Sequence, residues 1–299
     1  MKKTIKTLLV KKMPVFISKY LYYMTFKKRL DLKKPTTFNE KLMWLKLFED
    51  DALKTKCTDK YLVRNYISKL GYSELLIELD EVYEHVEEID FTKLPKSFVM
   101  KCSHGSGFNI ICPDKEKLDV KQVKVQLKKW LQTDYGSLYC EPHYSPITPR
   151  ITVERFLVDE HEGQVPIDYM IHCFHGEPYV IEVGVDYEGH GKKYSTYNCE
   201  WDPLPYYKDS LDPNGIIKKP ERLKEMLIIS KALSKAFTYV RVDLYYCQQI
   251  YFGELTFTPG ACLEKDFVQD GEYRMGELLD LTILKKERQP KVSLLEYLK

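Results

Sequence analysis

The chain has 299 residues, of which 44% are hydrophobic and 30% charged, a balance that excludes a disordered chain and leaves room for two packed lobes. Nothing approaches about eighteen consecutive apolar residues, so no membrane-spanning helix is expected. The net charge of +2 conceals an asymmetry: residues 1–34 carry eleven Lys/Arg against one acid, Asp31, leaving 35 basic and 43 acidic residues, about −8, in positions 35–299.

A long acidic body argues against a nucleic-acid partner, whose basic footprint should lie on the folded surface. The eight cysteines are scattered singly without a CxxC pair, and read as reduced thiols of a cytoplasmic protein. At the N-terminus Leu8, Leu9, Val10, Phe16, Ile17, Leu21, Tyr22, Tyr23 and Phe26 are interleaved with lysines. Lys11, Lys12 and Lys19 interrupt the apolar stretch and no small-residue cleavage site follows, so this is not expected to be a secretory leader. Two readings stay open. The segment is an amphipathic helix resting on an anionic membrane surface, or a helix packed on the body with its lysines in water. Pro14 argues against a single long helix.

Thr37-Phe38-Asn39-Glu40 has capping-box spacing and opens a helix whose Leu42, Leu45 and Phe48 recur at helical intervals. A second helix is predicted from Asp59 to Leu70, closed by Gly71. Ser97–Cys102 and Asn109–Cys112 read as strands around the loop Ser103-His104-Gly105-Ser106-Gly107. Asp119 starts a helix with Val120, Val123, Leu127, Trp130 and Leu131 on one face. Strands follow at Ile151–Leu157, Tyr169–Phe174 and Tyr179–Val183, then an irregular section over 186–219. Pro220 is expected to open a helix through Phe237. Tyr239–Tyr246 and Ile250–Phe257 form the last hairpin, around Cys247-Gln248-Gln249. This order predicts an α+β fold with a cleft between two lobes.

The hairpin carries the sharpest chemical signal. Side chains alternate along a strand, so Arg241 and Asp243 share one face and Glu254 and Thr256 share another. If the register brings these faces together, two carboxylates, a hydroxyl and a guanidinium converge. Two close carboxylates repel, and one takes up a proton unless a cation sits between them; oxygen ligands of this kind suit Mg²⁺ with phosphate oxygens completing its shell. The alternative is a solvated hairpin face. Around the other loop, Gly105 and Gly107 allow close approach of a phosphate to backbone N–H groups, with Lys101 as a point charge. No GxxxxGK[ST] string is present, and a glycine hairpin with Lys101 reaching to solvent is the competing reading. His172 and His175 read as structural, because three-residue spacing suits zinc on a helix and this run is a strand.

Thr58-Asp59-Lys60-Tyr61 through Arg64, the Leu94–Cys112 stretch, Val153-Glu154-Arg155-Phe156-Leu157, Asp168-Tyr169 with Cys173-Phe174-His175-Gly176, and Gly253-Glu254-Leu255-Thr256-Phe257 together resemble the TupA-like ATP-grasp family, over roughly residues 36–285. The resemblance implies an ATP-grasp fold of two lobes with the ATP cleft between them, preceded by a helical N-terminal segment. It divides the chain into a basic segment (1–50), an N-terminal lobe with the glycine flap (51–153), a C-terminal lobe with the magnesium hairpin (154–285) and a tail (286–299). The cofactors implied are ATP and Mg²⁺. Lys60 and Lys101 would hold the phosphates under a flap of Ser103, His104, Gly105, Ser106 and Gly107. His104 would donate to a phosphate or stand in solvent. Glu154 and Phe156 would line the adenine edge and Asp168 would meet the ribose. Arg241, with Lys101, would serve catalysis at the transferred phosphoryl, and Asp243, Glu254 and Thr256 would hold the metal. Lys192 or Lys193 lies where one more phosphate contact often comes from. Two positions depart from the wider superfamily: Thr256 stands where Asn is usual, and Met170 where many relatives carry lysine.

The family is associated with bacterial cell-surface polysaccharides. The expected activity is an ATP-dependent carboxylate–amine ligase joining a carboxylate-bearing sugar or polysaccharide precursor to an amine such as an amino acid. A sugar kinase sharing the same ATP site, an ATP-binding scaffold without turnover and a glycosyltransferase are the alternatives. The location expected is cytoplasmic, with peripheral contact at the inner membrane face through the basic N-terminus.

Overall fold

Helix α1 (Pro14–Phe26) begins at a proline in its first turn, where a missing N–H costs nothing, and ends at Lys27 in the left-handed region. The computed structural model describes residues 10, 12–49, 51–158, 166–186, 192–208, 210 and 217–284. The reading of a C-terminal tail falls outside them. Helix α2 (Phe38–Phe48) starts at the expected capping box: Thr37 Oγ1 accepts from the Glu40 N–H, and Glu40 accepts from the Thr37 N–H at 3.2 Å.

The helix expected from Asp59 to Leu70 starts four residues later, and a short helix that was not expected precedes it. Helix α3 (Ala52–Thr58) ends at Asp59, and α4 (Val63–Lys69) restarts four residues on. The Asp59 carboxylate accepts from the N–H groups of Tyr61 and Leu62 at 2.8 and 3.2 Å, a local turn that competes with helix. Lys60 therefore sits in a bend, and its N–H donates to the Ser103 carbonyl at 3.2 Å. That bond ties the bend to the glycine loop.

Strands β1 (Leu79–Tyr83), β2 (Phe98–Cys102), β3 (Asn109–Cys112) and β4 (Ile151–Arg155) make an antiparallel sheet in the order β1-β4-β2-β3. Helix α5 (Val120–Leu131) covers it, burying Val123 and Leu127 on Phe98, Met100, Ile151 and Val153. A second antiparallel sheet runs β10-β9-β5-β6-β7-β8, built from β5 (Ile167–Phe174), β6 (Glu177–Asp186), β7 (Lys192–Tyr197), β8 (Pro203–Leu204), β9 (Tyr239–Tyr246) and β10 (Ile250–Thr256). The irregular section expected over 186–219 thus contains two strands, whose ladder with β6 and mutual pairing are set by tertiary contact. Helix α6 (Leu223–Ser234) starts three residues after Pro220, whose carbonyl accepts from the Leu223 N–H.

One face of the larger sheet is apolar. Ile171, Val240, Val242 and Leu244 pack there against Met226 and Leu233 of α6 and Ile67 of α4. A third core joins α1 and α2 to Phe174, Tyr239 and Met275, the last from α7 (Gln269–Leu278). A parallel bridge between Leu76 and Phe252 connects the segment leading into the small sheet to the edge of the large one. The two sheets thus stand as two lobes, with the polar face of the larger turned to the gap. Among the described residues, no helix is long and apolar enough to cross a membrane.

Candidate functional site

The register of β9 and β10 is set by a bulge. From the turn outward Ile250 pairs with Tyr246 and Phe252 with Leu244, and then the ladder shifts so that Glu254 pairs with Asp243 and Thr256 with Arg241. Were Gly253 paired with Asp243 in regular register, Glu254 would oppose Val242 on the apolar face, because one step of register exchanges the two faces. Glycine fits there for a reason of space: a Cβ at Gly253 would lie 2.9 Å from the Asp243 carbonyl oxygen.

The polar side chains converge. Arg241 donates to both oxygens of Asp243, at 2.8 Å from Nε and 2.7 Å from Nη2. Thr256 Oγ1 stands 3.3 Å from Asp243 Oδ2 and 3.1 Å from Glu254 Oε1. The other Glu254 oxygen accepts from Lys60 Nζ at 2.7 Å, so the bend after α3 meets the hairpin directly. Burial pushes the Asp243 carboxyl up to about 7 against the pull of Arg241. Glu254 goes the other way: the Lys60 ammonium holds it at about 2. Burial pulls Lys60 down, but the Glu254, Glu154 and Asp243 carboxylates carry it above its ordinary value.

Opposite lies the glycine loop. Ser106 lines the same cavity as Arg241, Glu254 and Thr256, together with Tyr135 and Tyr144. Gly107 has φ +70°, which favours glycine. Gly105 is needed for a different reason: a Cβ there would lie 2.7 Å from the Phe108 ring and 2.9 Å from Tyr135. His104 is turned away from the cavity. Its ring is 3% exposed, with Nε2 3.0 Å from the Trp130 carbonyl at the end of α5 and an edge on Phe108. This corrects both expectations for that residue, a phosphate donor or a solvent-exposed loop histidine. An imidazole beside the aromatic pair Phe108 and Trp130 gains more from packing than from solvent.

A second cleft adjoins, lined by Ile77, Val99, Lys101, Glu154, Phe156 and Tyr245 among others. It is mainly apolar, and the Glu154 carboxylate at its wall pairs with Lys101 Nζ at 2.6 Å and Arg64 Nη1 at 3.8 Å. Asp168 lies on β5 opposite Tyr245, at the margin of this cleft. Lys192 and Lys193 are on β7, two strands from β5. Met170 is buried opposite Asp243 and Glu182.

Sequence reading gave no role to three neighbours. Arg64, although inside a quoted motif, also donates to the Ile77 carbonyl at 2.8 Å and so holds Glu154 against the lobe junction. Glu182 and Tyr239 flank His172: the ring nitrogens lie 3.0 Å from Glu182 Oε2 and 2.9 Å from the Tyr239 hydroxyl. Burial pushes Glu182 up, but the His172 hydrogen bond and the Arg241 charge bring its carboxyl below the usual range. A glutamate in the otherwise apolar run of β6 was the available signal.

The oxygens of the hairpin fit a magnesium ion. Cis ligands of an octahedral shell at about 2.1 Å lie about 3 Å apart, close to the Thr256–Glu254 and Thr256–Asp243 separations. Among the described residues no group of three or more His, Cys, Asp or Glu side chains gathers as a metal site, and Mg²⁺ commonly takes one or two carboxylates with phosphate oxygens.

No curated protein matches the sequence. Among solved structures, the chain is similar to D-alanine–D-alanine ligase from Bacillus anthracis complexed with ATP, at 15% identity over 78% of this chain and 67% of that one, TM-score 0.47. It is similar to L-amino acid ligase from Bacillus licheniformis, at 13% identity over 94% and 66% of the two chains, TM-score 0.46. The ATP-grasp ligase PsnB complexed with minimal precursor, Mg and ADP matches at 11% identity over 73% and 57%, TM-score 0.37. The chain therefore spans about two thirds or less of the length of these ligases. The TupA-like ATP-grasp family matches residues 40–280, which takes in both sheets, the glycine loop and the bulged hairpin. On that match the chain belongs to the TupA-like ATP-grasp family, with its α+β fold.

Proposed function

We propose that the protein is an ATP-dependent carboxylate–amine ligase that uses Mg²⁺ and acts in the biosynthesis or modification of a bacterial cell-surface polysaccharide. The observation that carries this reading is the convergence of Arg241, Asp243, Glu254 and Thr256 with Lys60, facing Ser106 of the glycine loop. The site is internally neutralised: Lys60 pairs with Glu254, Lys101 with Glu154 and Arg241 with Asp243. A polyphosphate entering such a site must bring compensating positive charge, and a divalent cation supplies it when bound to Asp243, Glu254 and Thr256.

Adenine fits the apolar cleft beside Phe156 and Tyr245, with the Glu154 and Phe156 main chain at its edge and Asp168 toward the ribose. Lys60 and Lys101 then orient the phosphates, and the Gly105–Gly107 loop covers them. A carboxylate oxygen of the acceptor attacks the γ-phosphorus, the bond to the bridging oxygen breaks and ADP leaves. An amine then adds to the acyl carbon, phosphate departs and the amine proton is lost, leaving an amide. The chain's contribution is positioning and charge: Arg241 meets negative charge developing on the transferred phosphoryl. The acceptor is a carboxylate-bearing sugar or polysaccharide precursor, and the donor an amine such as an amino acid. The protein works in the cytoplasm, with peripheral contact at the inner membrane face.

The test is a matrix of amino acids against uronic-acid sugars, free, nucleotide-linked and lipid-linked, read by ADP release and product mass. A product whose mass is that of sugar plus amine less one water, formed together with ADP, is expected. Phosphorylated sugar accumulating without any amine would replace the ligase by a kinase. Nucleotide-dependent thermal stabilisation without ADP release across the matrix would make the protein a scaffold, the outcome that Met170 beside Asp243 favours.

A further inference from the structure

Helix α1 is apolar on two opposite sides. Ser18 and Tyr22 are buried on the body, and Phe26 is half-buried against the same core. The outer side carries Met13, Phe16, Tyr20, Tyr23 and Met24, each 47–61% exposed. At about 100° per residue these five fall within an arc of roughly 100°, a continuous stripe and not scattered positions. Fourteen large hydrophobic residues are exposed among the described residues, and five of them lie in this short stretch. Scattered apolar residues on a surface need no explanation, whereas a contiguous stripe rimmed by polar residues marks a contact surface.

Cations border the stripe on one edge and at its end. Lys12 and Lys19 fall along one edge, Lys27, Lys28 and Arg29 follow the C-terminal end of the helix, all five are exposed, and no acid precedes Asp31 in the sequence. A second copy of the chain fits poorly, since an isologous contact would set these cations against their own copies. Aromatic side chains bordered by lysines are the composition of helices that lie in the plane of a membrane interface, where anionic headgroups take the cations. We propose that the outer face of α1 docks the protein on an anionic lipid bilayer.

The helix also lies along the cavity that holds the candidate site. Thr25, near its C-terminal end, lines the cavity shared by Arg241 and Glu254. Near the other end the Pro14 carbonyl accepts from Cys140 Sγ at 3.5 Å, next to Tyr139 of the same cavity wall. Docking through α1 therefore sets this cavity close to the bilayer surface. Collection of a lipid-borne acceptor there is a consequence that rests on the ligase reading, whereas the docking does not.

The experiment is co-sedimentation of the full chain with sucrose-loaded vesicles, either phosphatidylcholine alone or an equal mixture with phosphatidylglycerol. Binding to the anionic vesicles only is expected, weakening several-fold between about 0.1 and about 0.5 M salt as screening increases. Phe16→Ser/Tyr20→Ser/Tyr23→Ser should lower vesicle affinity about tenfold or more, and Lys19→Gln/Lys27→Gln/Lys28→Gln should lower it comparably at low salt. Both should melt at the wild-type temperature, because the substituted side chains are exposed. Should the first triple variant unfold, Phe16→Ser alone reads the same effect at smaller size, this side chain being 61% exposed. No binding to either vesicle, undiminished binding of the stripe variants, or a wild-type dimer that the stripe variant converts to monomer would each overturn the proposal.

Discussion

The β9–β10 and β2–β3 hairpins both bring charge to the gap between the lobes, but they hold it differently. In β9–β10 the charged groups lie within the ladder: Arg241 grips Asp243 two residues along its own strand, and Thr256 reaches Glu254 on its own strand and Asp243 across the ladder. In β2–β3 the charge is held from outside, with Lys101 drawn to Glu154 on the neighbouring β4, while the loop beyond it is fixed by aromatic packing of Phe108, Tyr135 and Trp130. A ladder fixes side-chain positions through backbone hydrogen bonds, so the first hairpin offers rigid ligands. A loop held by side-chain packing can move without breaking a sheet, which suits a cover over phosphates.

The difference is sharpest at Glu254. Glu254→Gln keeps the shape of the hairpin but removes a proposed metal ligand and the partner of Lys60, and turnover should fall by about a hundredfold or more. Full ADP release from that variant would remove the metal assignment. Gly253→Val tests the bulge itself. A side chain pressed on the Asp243 carbonyl should cost about 1–3 kcal/mol by overpacking and should abolish nucleotide-dependent stabilisation. An unchanged melting temperature would mean that the bulge tolerates a Cβ. On the loop side, Lys101→Met should weaken nucleotide binding by about tenfold while leaving the fold in place. Calorimetry with a non-hydrolysable ATP analogue measures it, and wild-type affinity would exclude Lys101 from the phosphate site.

The smallest effect is a pH slope. Asp243 has its carboxyl raised from 3.8 to about 7 in the folded protein, so between these values the folded state binds the extra proton. That stability is complete below the unfolded value and is lost as pH rises through about 7. In metal-free buffer the Asp243 contribution should amount to about 1 kcal/mol between about pH 8 and about pH 6, read as the difference between wild type and Asp243→Asn, because His104, His143, His172 and His175, whose imidazoles burial lowers, act in the opposite sense in both proteins. Glu254 does not interfere, because its carboxyl is lowered to about 2 and its contribution disappears only as pH falls through the acid range below its ordinary 4.5. Mg²⁺ should oppose the slope by competing with the proton, and a wild-type slope identical with and without Mg²⁺ would argue against Asp243 as a ligand.

Much of this was legible one residue at a time. The capping box at Thr37, the strands around the glycine loop and the alternation of Arg241 with Asp243 and of Glu254 with Thr256 are short-range patterns, and they read directly. The start of α4 was expected four residues too early because a side chain that accepts from its own following N–H groups leaves no mark in hydrophobic periodicity. Strand β7 was missed because its polar Lys-Lys-Tyr-Ser-Thr-Tyr composition gains strand structure from pairing with β6. His104 read as a loop donor because sequence carries no information on which way a ring turns.

Local sequence determined which side chains share a face, where helices are capped and which segments are basic or apolar, since these depend on bond geometry and near neighbours. Only the tertiary structure decided that the two polar faces of the hairpin meet, through one bulge at Gly253, and that Lys60 reaches Glu254 across 194 positions of chain. It alone decided that α1 keeps a second apolar face outside the core. Each of these depends on how distant segments pack, and that is settled by burial and register over the whole fold.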